Sequence, residues 1–163
     1  MKKIKILFVL LISMLFFINK GMAQGYETGV GIRFGGLING LTVKHFINSS
    51  DALEGILSMG NRSFIVTGLY EFHVPLQHSG NTNFFYGVGA HVGFFQDGGS
   101  YYYNDSRIYS TSTVAGIDGI IGIDYKFNHV PLNVGMDFKP FVDFFSGSNF
   151  YFDGGISIRY TFN

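Results

Sequence analysis

Bulky apolar residues alternate with small or polar ones through most of the chain, most regularly at its end. Phe150, Phe152, Gly154, Ile156, Ile158, Tyr160 and Phe162 fall on one face there, and Tyr151, Asp153, Gly155, Ser157, Arg159 and Thr161 on the other. A period of two with unlike faces predicts a β-strand. Seven earlier stretches read the same way. Residues 26–34 set Thr28, Val30, Ile32 and Phe34 against Gly29, Gly31 and Arg33, and residues 40–47 set Leu41, Val43 and Ile47 against Thr42 and Lys44, with His45 on the apolar side near the strand end. Residues 52–60 put Leu53, Leu57 and Met59 opposite Glu54 and Ser58, leaving Ile56 as an apolar exception on the polar face. After a turn at Asn61-Arg62-Ser63, Phe64, Val66, Gly68, Tyr70, Phe72 and Val74 oppose Thr67, Glu71 and His73.

The fifth strand alternates Phe84, Tyr86, Val88, Ala90, Val92 and Phe94 with Gly87, Gly89, His91 and Gly93; glycine at every second position leaves room inside a narrow closed barrel. Strand six sets Ala115, Ile117, Gly119, Ile121, Ile123, Tyr125 and Phe127 against Gly116, Asp118, Gly122, Asp124 and Lys126. Strand seven sets Leu132, Val134, Met136 and Phe138 against Asn133, Gly135, Asp137 and Lys139. Pro140 cannot donate to a ladder, so it is expected at a bulge or near the strand's outer end. Eight strands are an even number, which returns the last one to the side where the first began. Between strands five and six lies a polar and aromatic stretch from Gln96 to Ser112, long for a connection in a compact domain.

The front of the chain changes the picture. Lys2, Lys3 and Lys5 precede an apolar run from Ile6 to Ile18, followed by Asn19, Lys20 and Gly21-Met22-Ala23. A charged n-region, an apolar core too short to span a bilayer as a helix, and small residues at the −3 and −1 positions predict a secretory signal peptide over residues 1–23. The mature domain is then residues 24–163. Its removal takes four lysines and no acid, leaving 7 basic and 11 acidic groups. A basic footprint for nucleic acid is therefore absent. There is no cysteine, hence neither lipid acylation at the cleavage site nor a disulfide framework. Abundant glycine, phenylalanine and tyrosine with few charges argue for one all-β domain.

At the C-terminus, Asp153, Gly155, Ile158, Tyr160 and Phe162, followed by Asn163, resemble the sorting signal of bacterial outer-membrane β-barrels. Together with the leader and eight alternating strands, the chain resembles the small eight-stranded outer-membrane barrels of the outer-membrane protein A or X type, a porin-like group. The resemblance implies an antiparallel up-and-down transmembrane barrel in the outer membrane of a Gram-negative bacterium. Its implied partners are outer-membrane lipids and lipopolysaccharide, and the barrel-assembly machinery during insertion. The alternative is a secreted, soluble, lipocalin-like barrel binding an apolar ligand. The faces separate the two, because the smaller residues share the charged face and the large aromatics the other, as lipid outside and a crowded inside require.

On that assignment the lumen collects Arg33, Lys44, Arg62, Lys126, Lys139 and Arg159 with Glu54, Glu71, Asp118, Asp124, Asp137 and Asp153. Six charges of each sign, in an interior just wide enough for side chains, imply a paired structural network that plugs the barrel. His45, His73, His78, His91 and His129 show no metal-ligand spacing, and His91, between Gly89 and Gly93, reads as a hydrogen-bonded interior histidine. No cofactor is expected. Catalysis is not expected either: the outward faces carry no His-x-Ser pair of the kind a membrane-embedded lipid deacylase needs, and a ten-stranded protease needs more strands. What remains for recognition is the long connection, where Tyr101, Tyr102, Tyr103, Asn104, Arg107 and Tyr109 have the adaptable aromatic chemistry of contact loops and suit an extracellular protein or glycan.

Overall fold

The computed structural model describes residues 26–76, 81–100, 112–144 and 149–162. The expected leader, residues 1–23, and its expected cleavage site lie outside them. Seven runs of strand, β1 (Thr28–Gly35), β2 (Gly40–Phe46), β3 (Asp51–Pro75), β4 (Thr82–Ser100), β5 (Ser112–Lys126), β6 (Leu132–Asp143) and β7 (Asn149–Phe162), pair in sequence order into a closed barrel. Every pairing is antiparallel, and β7 closes on β1 from Thr28↔Phe162 to Gly35↔Gly155.

β3 is a hairpin in one unbroken run. Its first limb pairs with β2 from Ala52 to Ser58, and its second pairs with β4 from Ser63 to Pro75. The reversal falls at Arg62, which takes the left-handed conformation at φ 56°. Below it the limbs run side by side until the His73 N–H meets the Ser50 carbonyl at 2.6 Å. The wall thus has eight antiparallel segments, at the positions the alternation predicts. Closure leaves no sheet edge, the condition for a strand-built wall in lipid.

Pro140 is accommodated without a bulge. It pairs with Phe152 on β7, and on the β5 side the register is the same above and below the gap, with Asp118↔Phe141 and Ile121↔Phe138. Gly119 stands across from the pyrrolidine ring, where an added Cβ would lie 3.4 Å from Pro140 Cγ. The wall loses ladder bonds there but keeps its alignment. β4 also runs five residues further than expected, to Ser100, so part of the long connection is strand.

The outer surface is apolar from end to end. Aliphatic side chains such as Val30, Ile32, Val88, Ile117, Ile121 and Ile156 are exposed on it, and aromatic ones such as Phe34, Phe72, Tyr86, Phe94, Tyr125, Phe150, Phe152, Tyr160 and Phe162 stand among them. Neighbouring rings stack, Phe72 on Tyr86 at 5.4 Å and Phe138 on Phe152 at 5.4 Å. An apolar exterior of aliphatic and aromatic side chains suits a barrel wall that faces lipid.

Candidate functional site

The chemistry of this molecule is inside the barrel. Glycine on inward positions makes the space: a Cβ at Gly155 would lie 2.5 Å from Arg33 Cζ, and one at Gly116 would lie 2.5 Å from His91 Cε1. Gly155, expected in the sorting signal, is therefore also what lets Arg33 lie flat across the lumen. Asp153 too faces inward, whereas Ile158, Tyr160 and Phe162 face out.

Toward the end holding the termini, charged groups share partners across the lumen. Lys44 Nζ lies 2.7 Å from Glu71 and 3.2 Å from Glu54. Arg159 bonds Glu54 through Nη2, donates to Asn133 Oδ1 at 3.2 Å and reaches the Thr42 hydroxyl at 3.3 Å. That hydroxyl donates in turn to Glu54. His73 extends the chain, with Nε2 2.9 Å from Glu71, while Nδ1 stands 3.7 Å from Asp124, beyond direct bonding. Aromatic rings wall the group: Lys44 Nζ sits 4.1 Å from the centre of Phe85, and His73 stacks on the same ring at 5.2 Å.

Toward the opposite end the ionic groups are set among apolar side chains. Arg33 makes a bidentate pair with Asp137, at 3.1 and 2.5 Å, and reaches Asp153 at 2.8 Å. The same guanidinium donates to the Ile38 carbonyl at 2.9 Å, and Asp153 accepts the Leu37 N–H at 2.8 Å. Arg33 and Asp153 thereby fold the turn at 36–39 inward, burying Leu37 and Ile38 in the mouth. Across from them His91 lies between Asp118 and Asp143, 2.8 Å from each, and Lys139 Nζ meets Asp118 at 2.5 Å. Ile65, Leu69, Phe95, Val114, Ile120, Phe141 and Tyr151 fill the remaining space.

Ten of the twelve expected network residues come together in this way, and two do not. Arg62 is exposed at the tip of the β3 hairpin, because it is the residue on which the chain reverses. Lys126 lies at the terminal end of β5, and its ammonium caps the following turn by donating to the carbonyls of Phe127 and Val130 at 2.8 and 3.3 Å. The expected balance of six against six is corrected accordingly. Among the described residues, four Lys or Arg side chains and seven Asp or Glu side chains are buried, Asp143 being the carboxylate missed. Asp143 follows Pro140 and continues the inward alternation of Asp137, Lys139 and Phe141, so a strand carried through the proline would have found it.

The interior apolar side chains escaped the alternation rule more broadly. Ile56 is legible as an exception, but Ile65, Leu69, Phe85, Phe95 and Ile120 each have an apolar or aromatic outward neighbour on at least one side, so the two-residue contrast is weak there. His45 is on the outward register but buried, bonding Thr28 Oγ1 through Nδ1 at 2.9 Å. At the rim, a cleft of about 530 Å³ opens beside the hairpin tip between Met59, Phe64 and Phe94. The proposed contact residues Tyr101, Tyr102, Tyr103, Asn104, Arg107 and Tyr109 lie outside the described residues.

No protein-family model matches the chain, and no curated protein matches it in sequence. Among solved structures, the crystal structure of the N-terminal β-barrel domain of Pseudomonas aeruginosa OprF superimposes with a TM-score of 0.56 over 81% of this chain and 94% of that one, at 7% identity. The shared property is the fold. It is a small closed barrel of eight antiparallel segments. The likeness covers almost the whole of the OprF barrel.

Proposed function

We propose that the chain is an exported, integral outer-membrane barrel of a Gram-negative bacterium, with a structural or surface-interaction role and a lumen plugged by its own side chains. The observation that carries this reading is the inversion of the two faces. Among the described residues, eleven Lys, Arg, Asp and Glu side chains are buried inside, while Val30, Val88, Ile121, Phe150, Tyr160 and their neighbours cover the outside. In water that exterior would be a contiguous apolar patch far larger than a soluble monomer carries. In lipid it is the expected surface. A lipocalin-like ligand site would need an apolar, open interior, and here the interior ends in ion pairs at both heights.

On this reading residues 1–23 direct export, the outward Ile158, Tyr160 and Phe162 with the inward Asp153 and Gly155 present the strand recognised by the assembly machinery, and the connection between β4 and β5 faces the outside, where a protein or glycan would meet its tyrosines. Lipid and lipopolysaccharide contact the apolar exterior. The test is fractionation combined with heat-modifiable gel mobility: the mature protein is expected in outer membrane, migrating as a compact species until boiled. Recovery as a soluble periplasmic monomer overturns the proposal. An epitope inserted at Asn104 reports the topology, and it is expected to be labelled on intact cells.

A further inference from the structure

His91 does what no other histidine among the described residues does: both its ring nitrogens meet carboxylate oxygens at hydrogen-bond distance. Nδ1 is 2.8 Å from Asp118 Oδ2, and Nε2 is 2.8 Å from Asp143 Oδ1. Ionised carboxylates only accept, and a neutral imidazole has one N–H to give. Two such contacts at that length call for two donors on the ring.

We infer that His91 is held as an imidazolium cross-tie between β5 and β6, and that this tie is a proton-dependent latch on the half of the barrel from which the longest connection emerges. Each neighbouring element supports the assignment. The second limb of β3 offers only the uncharged Thr67, the register partner of His91. β5 offers Asp118, and β6 offers Asp143 together with Lys139, whose charge is engaged by the other oxygen of Asp118. Asp153 on β7 is occupied by Arg33 on β1. The Phe141 ring meets the imidazole edge-on at 5.4 Å. Gly116 completes it, since any side chain there would strike the imidazole.

The charge count points the same way. Four buried Lys and Arg side chains face seven buried carboxylates among the described residues, and the surplus of acid is greatest in this half, where Asp118, Asp137, Asp143 and Asp153 face Arg33 and Lys139. A third cation at His91 reduces that surplus. Removing its proton leaves one carboxylate facing a bare ring nitrogen, so the tie is present at lower pH and lost as pH rises. The ring itself belongs to β4 and its carboxylate partners to β5 and β6, and β4 and β5 are the strands on either side of residues 101–111.

The inference concerns the lumen alone and holds whether or not the outer segment has a partner. It is tested on the mature protein folded in detergent micelles with its histidines labelled with nitrogen-15, the His91 signals being those absent from His91→Gln. At neutral pH both ring nitrogens are expected at imidazolium shifts with attached protons. As the second proton leaves the wild-type ring on raising the pH, amide signals of Gly116, Asp118 and Asp143 are expected to move while those around Lys44 stay in place. A neutral tautomer of His91 at neutral pH would place the proton on a carboxyl and overturn the assignment. Deprotonation that moves none of the three amides would overturn the latch.

Discussion

The two halves of the lumen solve one problem in different ways. Near the termini, Lys44, Arg159, Glu54 and Glu71 share partners, with Thr42, Asn133 and His73 filling in, so that each charge depends on several others. Near the opposite mouth, Arg33 with Asp137 and Asp153, and His91 with Asp118 and Asp143, are bounded by Phe95, Phe141, Tyr151 and Ile120. One half is filled by charges that share partners, and the other by apolar side chains around its ion pairs. The difference teaches that a plug need not be uniform. It also predicts unequal responses to substitution, because removing one partner of a buried ion pair leaves a charge uncompensated, whereas trimming an apolar side chain leaves a small void.

The largest effect is expected at Arg159. Arg159→Ala strips Glu54 of a partner and leaves Asn133 and Thr42 without their donor, and a loss of about 3–5 kcal/mol is expected in urea unfolding from detergent micelles. A loss below about 1 kcal/mol would show that this half is wet. The sharing itself is read by a double-mutant cycle, since Lys44 and Arg159 both bind Glu54. Lys44→Met combined with Arg159→Met is expected to deviate from additivity by about 0.5–3 kcal/mol. Strict additivity would break the contrast, because Lys44 and Arg159 would then act on Glu54 independently.

The apolar half should respond more mildly. Ile120→Val removes one methyl from the packed cluster, and a loss of about 0.5–1.5 kcal/mol is expected in the same unfolding measurement. No measurable loss would mean that the cluster is loosely filled. Least of all is expected from Arg62→Ala, which changes an exposed residue at the hairpin tip and should stay within about 0.5 kcal/mol. A large loss there would return Arg62 to the network from which its position removes it.

The sequence carried the wall almost completely. Alternation placed the eight segments, the reversal at Asn61-Arg62-Ser63 and the inward charges from Arg33 to Arg159, because a half-polar strand writes its two faces into its residues. Its failures share a cause. Where an inward position is apolar, as at Phe85, Phe95 and Ile120, both faces look alike, and the aromatic layer of the lumen became invisible. At strand ends, alternation continues in the sequence after the side chain has left the barrel, which is why Arg62 and Lys126 were assigned inward. Pairing was beyond reach for a different reason. That Arg33 chooses Asp137 and Asp153, or that His91 bridges Asp118 and Asp143, depends on the shear of the closed sheet, which brings together residues up to 120 positions apart.

The most direct test of a self-plugged lumen is current through single folded barrels in a planar lipid bilayer. With Lys44, Glu54, Glu71 and Arg159 locked across one half and Leu37, Ile38, Phe95 and Phe141 filling the other, no steady conductance above the bare bilayer is expected at moderate voltage. Large, stable, ohmic steps from the correctly folded, heat-modifiable species would contradict the account, because they would require a continuous water path where these side chains stand.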